Sequence, residues 1–147
     1  MSRPTVLYVE DEADDVLFMQ VAFRRAALPA DLRAVEDGLR AIGYLAGEGR
    51  YGDRGRHPLP TLILLDLNLP LRSGFEVLQW LREQPAFAQL RVIIFSSSGR
   101  PEDRTRAQEL GVTDYVLKPS SGLEFEQVAR QIKERWLLPA TGPVVSI

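Results

Sequence analysis

The sequence contains no cysteine and a single histidine, His57. The first absence rules out disulfides, thiolate metal sites and a cysteine nucleophile, and it accords with the cytoplasmic location we expect for this chain. The second leaves no histidine-rich metal site and no obvious imidazole base. Charge of neither sign dominates: 18 basic and 20 acidic residues give a net charge of -2, dispersed along the chain. No nucleic-acid-binding face is expected from that distribution. No stretch reaches the roughly 18 consecutive apolar residues of a membrane span, and Met1-Ser2-Arg3-Pro4-Thr5 carries no charged leader or cleavage site. The expected partner is a protein or a small molecule.

The chain of 147 residues fits one domain, large enough to bury roughly two thirds of the surface its unfolded form exposes. Apolar runs alternate with helical periodicities. Val6 to Val9 reads as a strand ending in Glu10-Asp11-Glu12, with Asp14-Asp15 beyond. Asp14 and Asp15 suit the first turn of a helix, where the macrodipole favours acids; Glu10 and Asp11 precede it and have less of a structural reason. That helix, about Asp14 to Ala27, carries a core stripe of Phe18, Met19, Ala22, Phe23 and Ala26. Leu32 to Val35 is a second strand, and Asp37 caps a short helix bearing Leu39, Ile42, Tyr44 and Leu45. Gly47 to Pro60, rich in glycine and arginine, reads as an exposed loop whose arginines are solvated.

Leu62-Ile63-Leu64-Leu65 is continuously apolar and stops on Asp66, as a strand buried on both faces of a parallel sheet does. Ser73 to Glu76 spells a capping box that opens a helix. Val92 to Phe95 is the fourth strand, ending in Ser96; Pro101 opens the next helix and Gly111 closes it. Tyr115 to Leu117 is the fifth strand, ending in Lys118-Pro119, and Ser121 to Glu124 spells a second capping box before a helix with Phe125, Val128, Ala129, Ile132 and Trp136 on one face. Five strands alternating with five helices predict an α/β fold: a doubly wound parallel sheet of flavodoxin-like order 2-1-3-4-5.

Taken singly, Asp66 reads as a loop cap, Ser96 as a turn residue and Lys118 as a surface charge. A parallel sheet brings the carboxyl ends of all strands to one edge, and that edge receives Glu10, Asp11, Asp66, Ser96 and Lys118 together. Clustered carboxylates suit a hard divalent cation such as Mg2+. Lys118 and the Ser96 hydroxyl suit phosphoryl oxygens, and Asp66, at the centre of the sheet, is the carboxylate left to act as nucleophile.

Val9-Glu10-Asp11, Leu64-Leu65-Asp66-Leu67-Asn68-Leu69-Pro70, Gly74, Ser96 and Lys118-Pro119 resemble the receiver domain of two-component response regulators over residues 4–138, with the spacing of chemotaxis-type receivers. The resemblance implies Asp66 as phosphoacceptor, Asp11 as direct Mg2+ ligand, Glu10 assisting through water, and the Asn68 main-chain carbonyl completing the protein ligands. It implies Ser96 and Lys118 as binders of phosphoryl oxygens, a cis bond before Pro119, and Tyr115 as the switch aromatic that turns inward when Ser96 moves; the plain alternative for Tyr115 is a half-buried strand aromatic. The long Gly47 to Pro60 loop, the Val35-Glu36-Asp37-Gly38 segment, and the Arg135 to Pro139 end with its tail over 139–147 resemble single-domain regulators paired with bacterial phytochrome histidine kinases, in which the C-terminal end contributes to a homodimer.

The expected function is therefore a stand-alone response regulator that takes a phosphoryl group from a histidine kinase and acts by protein contact. It would be no enzyme beyond its own phosphorylation and dephosphorylation. A haloacid-dehalogenase-type phosphohydrolase also uses an aspartyl phosphate, but it wants an acid at position 68, which is Asn. A phosphorylation-independent adaptor would be expected to lose an acid, the hydroxyl or the lysine. Asn68 and Ser98, both uncharged, are not expected to force rapid hydrolysis.

Overall fold

A computed structural model describes residues 3–137. Five parallel strands, β1 (Thr5–Val9), β2 (Asp31–Val35), β3 (Leu62–Leu65), β4 (Arg91–Ser96) and β5 (Asp114–Leu117), form one sheet in the order β2-β1-β3-β4-β5. The helices between and after them are α1 (Ala13–Arg25), α2 (Gly38–Ala46), α3 (Gly74–Glu83), α4 (Pro101–Glu109) and α5 (Gly122–Ile132). The expected doubly wound order is the one observed.

The unbroken apolar strands follow from this layering, because alternate side chains enter two different cores. Val6, Tyr8, Leu62, Leu64, Ile93 and Phe95 point towards α1 and α5, meeting Met19, Phe23, Phe125 and Ile132. Leu7, Val9, Ile63, Leu65, Val92 and Ile94 point the other way, to Tyr44, Leu45, Leu78 and Leu81 among the residues of α2, α3 and α4. Each such fully buried side chain contributes about 1.5–3 kcal/mol, so the central strands are the most firmly held part of the domain.

Local signals hold with three corrections. The Ser73 capping box forms: the Glu76 amide donates to Ser73 Oγ at 3.2 Å, and the Ser73 amide to Glu76 Oε1 at 3.5 Å. Asp37 caps α2 by accepting from the Arg40 amide. The second box does not form, because the Ser121 hydroxyl pairs with the Glu124 carboxylate at 3.0 Å and caps no amide. Phe18, expected in the core, is 38% exposed; it lies on the α1–α5 seam, tilted on Phe125 with ring centroids 5.5 Å apart. The bond before Pro119, expected cis, is trans, the isomer that X–Pro bonds favour by about 0.5–1 kcal/mol.

The Gly47 to Pro60 segment contains a short 3-10 turn over Gly49–Gly52. Arg54, expected to be solvated with the loop's other arginines, instead pins it by donating to the carbonyls of Tyr44, Leu45 and His57, and the Tyr44 hydroxyl donates to the Pro58 carbonyl at 2.7 Å. After α5 the chain continues as a π-helical turn over Lys133–Leu137. The tail over 139–147 lies outside the described residues.

Candidate functional site

Strand register sets the level of the site. Val9 pairs with Val35 on one side and with Leu65 on the other, Leu65 with Ile94, and Ser96 with Leu117. Glu10, Asp66, Ser96 and Lys118 therefore emerge together at the carboxyl edge, where open α/β sheets bind ligands. Main-chain bonds fix them there: the Glu10 amide donates to Val35, the Asp66 amide to Val9 and the Lys118 amide to Ser96.

The β3–α3 turn follows Asp66 closely. A Cβ at Gly74 would collide with the Asp66 carbonyl and Leu67 Cα, so α3 can begin this near the strand end only with glycine at that position. Asn68 is exposed, and its amide donates to Asp66 Oδ1 at 3.3 Å.

Glu10 and Asp66 are buried, at 1% and 4% exposure, whereas Asp11 is exposed. Oxygens of Glu10, Asp11 and Asp66 lie within 4.8 Å of one another. That donor set, all carboxylate and part buried, is the chemistry a hard divalent cation requires. Lys118 Nζ stands among the acids, 2.7 Å from Glu10 Oε1, 3.0 Å from Asp15 Oδ2 and 3.1 Å from Asp66 Oδ2. Glu10 also accepts from the Tyr8 hydroxyl at 3.1 Å and from the Glu12 amide at 3.2 Å.

Electrostatics follow from this crowding. Burial pushes the Glu10 carboxyl up to about 7, with the hydrogen bond from Lys118 opposing and the Asp66 charge assisting. Burial alone would push the Lys118 ammonium down, but its bonds to Glu10 and Asp15 and the charges of Asp66 and Glu10 outweigh that and hold it well above its ordinary value. Tyr8 is driven upward by burial and then by the Glu10 charge, so its hydroxyl stays protonated and donates.

Ser96 is fully buried, and its hydroxyl accepts from the Ser98 amide at 3.3 Å. Ser98 in turn donates from its hydroxyl to Asp103 Oδ2 at 2.6 Å. Tyr115 is half-buried, with its hydroxyl donating to the Ser98 carbonyl at 2.8 Å and the Arg104 guanidinium 4.6 Å from its ring centroid.

Glu10, Asp11, Asp66 and Lys118 are thus brought together, Ser96 is set on the neighbouring strand end, and Tyr115, on β5, reaches the loop beyond Ser96 through its hydroxyl. Sequence reasoning missed Asp15, which it assigned to the helix macrodipole. Asp11 lies before α1, which begins at Ala13, so no helical spacing links the two acids, and only the fold sets Asp15 beside Lys118.

The family model of the response regulator receiver domain matches residues 6–130, and the chain belongs to that family. Within it, the chain resembles the response regulator Rcp1 of Synechocystis, at 31% identity over 94% of this chain and 92% of the relative. The Mn(2+)-bound form of Rcp1 superposes with a TM-score of 0.82 at 29% identity, covering 98% of each chain. The phosphorylated cyanobacterial phytochrome response regulator RcpA superposes with a TM-score of 0.85 at 32% identity, over 92% of this chain and 95% of that one. RPA3017, described as a response regulator in red light signalling of R. palustris, gives 0.84 at 36% identity, over 91% and 94%. The particular group is therefore that of regulators related to phytochrome-associated response regulators.

Proposed function

We propose that this chain is a stand-alone response regulator, with its receiver body over residues 4–138, which accepts a phosphoryl group on Asp66 from a histidine kinase of the bacteriophytochrome type. The observation that carries the reading is Lys118, whose ammonium bridges the buried Glu10 and Asp66 carboxylates at 2.7 and 3.1 Å. Coverage of nearly the whole length of Rcp1 and RcpA supports the single-domain reading. That the similar RcpA structure is of a phosphorylated regulator supports phosphorylation as the chemistry.

An Asp66 carboxylate oxygen attacks the phosphorus of the kinase phosphohistidine; the P–N bond breaks and an acyl phosphate forms. Lys118 and the Ser96 hydroxyl bind the phosphoryl oxygens as charge shifts onto them. The Asn68 amide, already on Asp66 Oδ1, orients the nucleophile. Glu10, Asp11, Asp66 and the Asn68 carbonyl would hold Mg2+, whose chemistry there is to neutralise phosphoryl charge. The Mn(2+)-bound Rcp1 structure supports a divalent cation in this group of proteins.

Tyr115 acts as the switch aromatic, following Ser96 through Ser98, whose amide donates to the Ser96 hydroxyl and whose carbonyl accepts from Tyr115. Output is by protein contact in the cytoplasm, with no nucleic-acid partner and no membrane partner; no helix among the described residues is long and apolar enough to cross a membrane. A homodimer through α5 and the segment over 139–147 is part of the same reading.

Incubation with a purified phytochrome-type kinase, radiolabelled ATP and Mg2+ tests it. Label should move to this chain and be absent from Asp66→Asn. An equally labelled Asp66→Asn protein would sink the reading.

A further inference from the structure

We propose that Asp15 is a positioning residue for Lys118, holding its ammonium beside the pocket when Glu10 and Asp66 turn their oxygens to a divalent cation. The inference rests on the reading of Glu10, Asp11 and Asp66 as the cation's ligands.

A lysine ammonium has three N–H donors and no acceptor. Here its three carboxylate neighbours are Glu10, Asp15 and Asp66, all within 3.1 Å. Two of these three belong to the acid group whose oxygens converge within 4.8 Å, and Asp15 does not. Ammonium and divalent cation therefore want the same oxygens on Glu10 and Asp66. Glu10 has little to spare, since Tyr8 already donates to Oε1 and the Glu12 amide to Oε2.

Asp15 offers the ammonium a seat that the cation does not contest. It is set in the first turn of α1, at the end of the helix macrodipole that attracts an acidic side chain. The helix itself is anchored by Met19, Ala22 and Phe23 in the core, so the carboxylate is carried by a rigid element. With only 11% of the Lys118 side chain exposed, an ammonium deprived of Asp15 cannot exchange it for bulk water at no cost. It would settle on Glu10 and Asp66 and oppose the cation there. In the presence of Asp15 it shifts along its three-way contact and stays within reach of the phosphoryl position.

The test is Mg2+ binding measured by calorimetry on the full chain, for the parent, Asp15→Asn, Lys118→Met and the double variant. Asp15→Asn should weaken Mg2+ binding about tenfold with Lys118 present, the order of one charge interaction at a partly exposed site. In the Lys118→Met background, with no ammonium to seat, the same change should cost less than about threefold. Asp15→Ser, which also suits a helix start, repeats the comparison should the Asn variant fold poorly. An equal loss in both backgrounds would overturn the assignment, because Asp15 would then act on the cation through its own charge. No loss in either would overturn it as well. A parent that binds no Mg2+ removes both this inference and the ligand reading beneath it. Labelling of the parent by acetyl phosphate, lost in Asp66→Asn, checks the phosphoacceptor separately.

Discussion

The hydroxyl of Tyr115 donates to the main-chain carbonyl of Ser98 at 2.8 Å. Ser96 accepts from the amide of that same Ser98, so one residue links the buried hydroxyl of β4 to the aromatic of β5. Tyr115→Phe should lose about 1 kcal/mol of stability. It should also disconnect the two strand ends. On adding beryllofluoride with Mg2+, amide resonances of Ser98 and residue 115 should shift together in the parent, whereas in the Phe variant only those around Ser96 should move. Identical shifts in both proteins would argue that the ring follows Ser96 by packing alone.

Glu10 gives the metal-free protein a pH dependence of definite sign. Its carboxyl is pushed by burial from an ordinary 4.5 up to about 7, so between those values the folded chain binds more protons than the unfolded one. Stability from this group is present at low pH and is lost as pH rises from about 4.5 through 7, by about 1–2 kcal/mol. Urea denaturation in chelator at pH 5 and pH 8 should show that loss for the parent relative to Glu10→Gln. Parallel pH profiles for the two proteins would contradict it.

Arg82 closes the opposite end of the molecule. Its guanidinium donates to the carbonyls of Phe87, Ala88, Leu90, Leu110 and Gly111 at 2.8–3.3 Å, joining α3 to the start of β4 and the end of α4. An ammonium has neither the fork nor the donors to serve all five. Arg82→Lys should therefore cost about 2–3 kcal/mol in denaturant unfolding while leaving Mg2+ affinity unchanged. A loss below 0.5 kcal/mol, about the ordinary range for surface substitutions, would mean water replaces the arginine.

Leu71 adopts a left-handed backbone, φ 67°, and the residue is 71% exposed. That conformation costs a residue with a Cβ about 1–2 kcal/mol, while glycine forfeits about 0.5–1 kcal/mol of chain entropy. Leu71→Gly should stabilise the protein by about 0.5–1 kcal/mol, which at this chain length raises Tm by about 1–4 °C. A lowered Tm would show that Leu71 makes contacts worth more than its strain.

Much of the fold was legible because periodicity and burial speak the same language. Leu62 to Leu65 are apolar at every position since two cores flank them, and the run ends where the carboxyl edge begins. The site was legible because parallel strands force Glu10, Asp66, Ser96 and Lys118 to a common level. Asp15 escaped notice because an acid in a first helical turn already has an adequate reason to be there. Arg82 was invisible for a different cause: its partners are main-chain carbonyls, which no residue type announces. Ser121 misled, since a motif that can cap an amide can equally pair its hydroxyl with the glutamate. Phe18 misled because its place in the helical stripe is right, but α5 covers only part of it.

With β1 between β2 and β3, and β5 at the edge beyond β4, the ribosome delivers the acids of the site well before the amine that compensates them. Glu10, Asp11, Asp15 and Asp66 are all synthesised before Lys118, and at about 5–20 residues per second the wait after Asp66 is on the order of seconds. Any edge formed in that interval would carry its carboxylates without the ammonium that pairs with them in the folded chain. The like charges of that edge therefore oppose its closing until β5 brings Lys118 to it.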